Sequence, residues 1–313
     1  MFRRICFFFL ILGIWGMLME ISAAEAKLYK IKTPPLKEKP ALVIAAFGTS
    51  TKAQITFDFF DQELQKNFPD YEIFWAFTSD IIRTKMNRIY AQRNIQKRLL
   101  SLQEVLGLIY ARGYRKAVVQ PLQIFPGFEY KEVMEICENF PGLRIVVGEP
   151  LLLRWENIHQ VIKTLEREFL PPEEGINILA AHGTEISSDS ANITYLGLSW
   201  FLEHHYPNVL LATVEGIPDA ESVLKEAKKY PGQRVRFIPF MFVAGDHIMN
   251  DIMGQDPEEG SWRQEVEKAG KVVDCVTTQI EGKTFYKGLG LYPEVDQIFI
   301  QSIKRMLEIL KRY

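Results

Sequence analysis

Short apolar runs alternate with longer amphipathic stretches along most of the chain. Residues 41–47 (Ala-Leu-Val-Ile-Ala-Ala-Phe) and 176–181 (Ile-Asn-Ile-Leu-Ala-Ala) follow Pro or Gly and run into Gly48-Thr49 and His182-Gly183-Thr184 respectively. Runs of this length and composition read as strands buried on both faces, as in a parallel sheet. Residues 71–77, 116–124, 144–147, 209–214, 235–243 and 272–277 read as further strands. Apolar residues at helical spacing predict helices over 56–68, 81–112 (one helix or two), 130–139, 158–169, 192–205, 220–230, 261–269 and 295–311. Regular alternation of strand and helix predicts an α/β fold of doubly wound parallel sheets with right-handed crossovers. The break at Pro171-Pro172, closing at Gly175, divides the chain into an N-terminal α/β domain (38–170) and a C-terminal α/β domain (175–313) ending in a helix.

The halves can be laid on one another. Ala45-Ala46-Phe47-Gly48-Thr49 matches Ala180-Ala181-His182-Gly183-Thr184, Phe68-Pro69-Asp70 matches Tyr206-Pro207-Asn208, and 121–129 matches 239–247. Three matches in the same order predict a duplicated domain, the two copies facing a central cleft.

The first residues follow another pattern. Arg3 and Arg4 precede an apolar or small run over 5–19, then Ala24-Glu25-Ala26. This is the layout of a secretory signal, cut after Ala26. The run is shorter than the roughly 20 residues of a membrane-spanning helix. A periplasmic protein is therefore expected, with no membrane partner after cleavage. The formal net charge of −2 gives no reason to expect nucleic acid or an acidic membrane surface. Of the three cysteines only Cys137 and Cys275 follow the signal, in different halves and without metal-ligand spacing.

In open α/β sheets ligands gather at the carboxyl ends of strands. Four residues with suitable chemistry fall there: Glu129 in the first half, and His182, Glu215 and His247 in the second. Phe47 stands where His182 stands, Glu129 where His247 stands, and Phe77 where Glu215 stands. Two imidazoles and a carboxylate are a common shell for a divalent transition metal. His159 reads as structural, and His204 and His205 as helix-end residues. Phe47, Phe77, Phe125, Phe128, Phe240, Met241, Phe242 and Met249 are candidates for apolar cleft walls, and 246–262 for a loop over the cleft mouth.

Phe-Gly-Thr-Ser (47–50), Ala-Phe-Thr-Ser (76–79), Val-Gln-Pro-Leu (119–122), Pro-Gly-x-Glu-Tyr (126–130), His-Gly-Thr-Glu (182–185), Val-Glu-Gly (214–216) and Ala-Gly-Asp-His-x-x-Asn-Asp (244–251) resemble the anaerobic CbiK-type sirohydrochlorin cobaltochelatases. These are class II tetrapyrrole chelatases related in fold to ferrochelatase. The similarity covers about 40–313, and the signal resembles the exported branch. The resemblance implies a divalent metal as substrate (Co²⁺, with Fe²⁺ or Ni²⁺ as alternatives), a sirohydrochlorin-like tetrapyrrole as partner, and no organic cofactor. It implies His182, Glu215 and His247 as metal ligands, with His182 and Glu129 as catalytic groups. A homo-oligomer is compatible with it. Gln123 stands where the family often has His. Arg83 and Lys85 are candidates for the substrate's carboxylates. A non-catalytic periplasmic carrier of metal or tetrapyrrole is the alternative reading.

Overall fold

The computed structural model describes residues 34–256, 258 and 260–312. The predicted export segment lies outside them. The first half runs β1 (Ala41–Ala46), α1 (Ile55–Asn67), β2 (Ile73–Phe77), α2 (Asp80–Gln92), α3 (Leu102–Ala111), β3 (Lys116–Pro121), α4 (Phe128–Glu138), β4 (Arg144–Val147) and α5 (Trp155–Leu165). The second runs β5 (Gly175–Gly183), α6 (Ala191–His205), β6 (Val209–Glu215), α7 (Ala220–Lys229), β7 (Arg234–Pro239), α8 (Trp262–Lys268) and β8 (Val272–Cys275). A hairpin, β9 (Thr277–Ile280) and β10 (Lys283–Tyr286), and a long closing helix, α9 (Pro293–Lys311), complete it. The helical stretch after Ser79 is two helices. Ser101 and Glu104 form a reciprocal capping box that starts the second one.

Both sheets are four-stranded and parallel, in the orders β2-β1-β3-β4 and β6-β5-β7-β8. The register repeats as well. Ala45 pairs with Pro121 in one sheet and Ala180 with Pro239 in the other. Gly48 and Gly183, equivalent residues at the carboxyl ends of the central strands, both have positive φ. At Gly183 a Cβ would lie 1.6 Å from the carbonyl oxygen of Glu215, so no side chain fits beneath the β5–β6 edge. The duplication is therefore physical, with one correction. Ala46 faces Phe77, and its counterpart Ala181 faces Thr213. Phe77 thus corresponds to Thr213, and Glu215 lies two residues further along. The slip arises because β6 begins directly after Asn208, whereas Tyr71 and Glu72 separate the matching turn from β2.

Alternate residues of each strand point into different cores. Leu42, Ile44 and Val118 from one sheet join Leu179, Leu211 and Ile238 from the other in a shared core filled by α1, α5, α6 and α9. Ala41, Val43 and Val119 face α3 and α4, while Ile178, Val235 and Phe237 face α7 and α8. The result is a layering of helices, sheet, helices, sheet and helices. The described residues from Lys37 onward form one compact unit. The terminal helix α9 lies against β3, β4 and α5 of the first half, where Arg305 meets Glu149 at 2.8 Å.

Candidate functional site

His182, near the carboxyl end of β5, and His247, in the connection that follows β7, come together. Their ring centroids are 4.7 Å apart and the planes 84° from parallel. His182 Nδ1 lies 3.0 Å from its neighbour's carbonyl, Gly183 O. His247 Nδ1 lies 2.7 Å from Asp251 Oδ2. A carbonyl and a carboxylate only accept, so each Nδ1 carries its hydrogen and donates. In the neutral ring each Nε2 then keeps its lone pair free for a ligand. A carboxylate behind the ring is the usual way to orient a metal-binding imidazole. The His247–Asp251 spacing of four residues comes from a π-helical turn, Ile248–Ile252, that starts immediately after His247. Ile248 and Ile252 are fully buried, which anchors this part of the expected cover loop to the core.

Glu215 ends β6 opposite Gly183, and its carbonyl accepts from Thr184 N at 2.9 Å. Among the described residues, no three His, Cys, Asp or Glu side chains are close enough to hold an ion as they stand. The structure gathers the two imidazoles and does not bring the Glu215 carboxylate up to complete a third ligand.

Glu129, in the first turn of α4, is within electrostatic reach of His182. The residue as a whole is exposed by surface area. Its carboxyl is pushed above the ordinary carboxylate range, with burial as the main cause. His182 opposes the shift, Glu132 and Asp189 add to it, and the Gln123 amide opposes it again. Gln123 is buried, and neither of its amide atoms makes a well-formed hydrogen bond. Gln123 and Glu129 are thus close neighbours without an optimal bond between them.

Two residues at this site carry no sequence motif. Tyr195, buried on α6, accepts from Gly183 N at 3.0 Å and packs on Phe125 with centroids 3.8 Å apart. Burial raises its hydroxyl pKa, as do the nearby Glu129, Asp189 and Glu215. Asp189 is the second. A helical position one turn past a loop was the only available signal for Tyr195.

Several expected wall residues are core instead. Phe125, Phe240 and Phe242 are buried, because they turn into the core shared by both sheets. Phe47 and Phe128 remain exposed near the strand ends. Arg83 is already engaged: it donates to the carbonyls of Phe77 and Thr78 and pairs with Asp80. That leaves little of it for a substrate carboxylate, whereas Lys85 is exposed. Cys137 and Cys275 are free thiols. A groove of about 730 Å³ between the start of α1 and the β9–β10 hairpin contains none of the four candidate site residues.

Two duplicated parallel sheets that share one core, with a pair of imidazoles beyond the strand ends of one and a carboxylate from the other, define a duplicated α/β protein. The sequence pattern of the family described as Cobalt chelatase (CbiK) matches residues 40–308, and the chain belongs to that family. It is 29% identical over 259 residues to the sirohydrochlorin cobaltochelatase CbiKC of Nitratidesulfovibrio vulgaris, covering 80% of this chain and 86% of the relative. It is 26% identical over 280 residues to the sirohydrochlorin cobaltochelatase of Salmonella typhimurium, covering 87% and 97%. In fold it is similar to SirB from Bacillus subtilis with Fe³⁺ (TM-score 0.56, 16% identity, 86% of this chain and 96% of that one). It is likewise similar to the sirohydrochlorin chelatase SirB of B. subtilis subspecies spizizenii in complex with cobalt (TM-score 0.54, 14% identity, 86% and 96%).

Proposed function

We propose that this protein inserts a divalent metal, Co²⁺ above all, into sirohydrochlorin or a related tetrapyrrole. The observation that carries the reading is the His182–His247 pair, each Nδ1 tied back into the protein and each Nε2 free. The reaction consumes one M²⁺ and the free macrocycle and releases the metallated macrocycle and two protons. The protein must therefore present the cation and accept protons from the two pyrrole N–H groups. His182 and His247 present the cation through Nε2, and Glu215 completes the shell by a side-chain movement once the ion arrives. Glu129 accepts a pyrrole proton from the side of the first half. Its raised pKa makes it a stronger base than an ordinary carboxylate. Exposed Phe47 and Phe128 offer faces against which a flat macrocycle can lie.

Incubation with sirohydrochlorin and Co²⁺, followed by absorption spectroscopy, tests the activity. Many turnovers per protein are expected; a stoichiometric change that stops after one equivalent identifies a carrier instead. The reading extends to placement. The 1–26 segment directs export to the periplasm, and 38–170 and 175–313 act as the two lobes of the chelatase. Mass spectrometry of exported protein should find a chain beginning near Lys27; an intact Met1 in the membrane fraction would remove the periplasmic assignment.

A further inference from the structure

Helices α4 and α6 begin at the same place. Helix α4 belongs to the first half and carries Glu129 in its first turn; α6 belongs to the second and follows the loop that leaves His182. Neither is capped by the residue at its own N-cap position. Gly127 has no side chain to offer and Ser190 makes no capping bond. The buried carboxylate of Asp189 serves both. Its Oδ2 accepts from Phe128 N, the first amide of α4, at 3.2 Å. Its Oδ1 accepts from Ala191 N, the first amide of α6, at 3.0 Å. One negative charge thus faces the positive ends of two helix dipoles. The junction is closed further by Ser190 Oγ, which donates to Pro126 O at 2.8 Å. There is no slack in it: a Cβ on Gly127 would lie 2.9 Å from each Asp189 oxygen. One turn along α6, Tyr195 fixes the other end of the linkage through the amide next to His182.

We infer that Asp189 is a positioning residue, which holds Glu129 of one half in register with His182 of the other by capping both helices with a single carboxylate. The inference rests on the reading of Glu129 as proton acceptor. Both Asp189 oxygens are taken up by the two helix starts, so its part is to set where the acceptor stands. Misplacement of a reacting group by about 1 Å can cost on the order of a hundredfold in rate.

The test separates cross-half positioning from ordinary capping. Four variants are compared with the parent: Asp189→Ala, Asp189→Asn, Asp189→Ala combined with Gly127→Ser, and Glu129→Gln. The serine restores a cap to α4 from within its own half. Its Cβ must fit 3.0 Å from Ala191 Cβ, a tight contact that a small adjustment relieves. Melting temperature, Co²⁺ affinity, and kcat and KM for sirohydrochlorin are measured on each. Asp189→Ala is expected to lower kcat by roughly ten- to a hundredfold while KM and Co²⁺ affinity stay within about twofold. Asp189→Asn, which keeps one accepting oxygen, should fall between parent and alanine. The double variant should recover melting temperature and leave kcat low. Recovery of kcat together with melting temperature means that Asp189 is only a cap and overturns the inference. So does a normal kcat in Asp189→Ala while Glu129→Gln is impaired. A normal rate in Glu129→Gln overturns the reading of Glu129 itself, and the inference with it.

Discussion

At the carboxyl end of β1 the chain reads Phe47-Gly48-Thr49; at that of β5 it reads His182-Gly183-Thr184. Strand order, register and the positive-φ glycine are the same in both. What differs is the side chain held at the rim. The first half presents Phe47 and Glu129, with Gln123 buried beside them, and the second His182, Glu215 and His247. Backbone sterics explain why the scaffold is shared: the central strand is buried on both faces and the edge at Gly183 admits no Cβ. The rim residue meets no such constraint, so on the proposed reading one copy binds a cation while the other supplies an apolar wall and a base. The division has a chemical logic on the proposed reaction. A cation and the protons it displaces repel one another, so their acceptors work best on separate surfaces.

The sharpest break of this division comes at Glu129. Glu129→Gln keeps shape and hydrogen-bonding capacity and removes the basic oxygen. Turnover is expected to fall by about 10²–10⁴-fold, with Co²⁺ affinity little changed. The pH profile carries the sign. A base must be deprotonated, so the parent rate should fall as pH drops through the raised pKa of Glu129, and this acid limb should vanish in the variant. An unchanged rate profile in the variant would return Glu129 to the status of a helix-start carboxylate.

In the second half, His182→Ala and His247→Ala should each weaken Co²⁺ binding by about tenfold or more. Titration of the metal against each variant decides, and parent-like affinity in both removes the metal site as drawn. A smaller effect distinguishes the two imidazoles from one another. His182 is oriented by its neighbour's backbone carbonyl, whereas His247 depends on the side chain of Asp251. Asp251→Asn should therefore lower Co²⁺ affinity by up to about tenfold, the lower end of what an outer-shell change costs. If affinity is untouched, the Asp251 contact is not what aims His247.

Much of this was legible from residue order because duplication turns differences into signals. His182 and His247 stood out only against Phe47 and Glu129. The equivalence of Phe77 and Glu215 was off by two residues because it was carried across a turn of different length, and only the hydrogen-bonded register corrects it. Asp189 and Tyr195 were silent because they act through contacts between halves, and no local spacing encodes those. Phe240 and Phe242 were ambiguous because an apolar strand end looks alike whether it faces a cleft or a second sheet. The β9–β10 hairpin did have a signal, Glu281-Gly282 between alternating residues. Both have positive φ, as a tight hairpin turn requires. The seat of α9 on the opposite half had none, since an amphipathic face does not name its partner.

The closing helices extend the contrast to stability. Helix α5 ends the first half, α9 the second, and the two pack together in the central layer. Matched from their first residues, Ile158, Val161, Ile162 and Leu165 correspond to Asp296, Phe299, Ile300 and Ile303, and all eight are buried. Only the first pair differs in kind. Asp296 is fully buried, and neither carboxylate oxygen has a partner among the described residues. Burial pushes its pKa up to about 8, with Glu63 and Glu294 adding to the shift. The sign follows from proton counting. Between the ordinary aspartate pKa of about 4 and about 8, the folded protein binds a proton here that the unfolded chain has released. Folding stability therefore falls as pH rises through that window. Asp296→Asn has nearly the same shape and does not titrate. Relative to the parent it should gain melting temperature steadily from pH 4 to pH 8, by a few kcal/mol in stability at most, while turnover at a fixed pH stays unchanged. Thermal melts of both proteins across that range measure the gap. A gap that stays constant with pH would show that Asp296 is not held protonated, and that the second closing helix tolerates its charge as readily as the first tolerates Ile158.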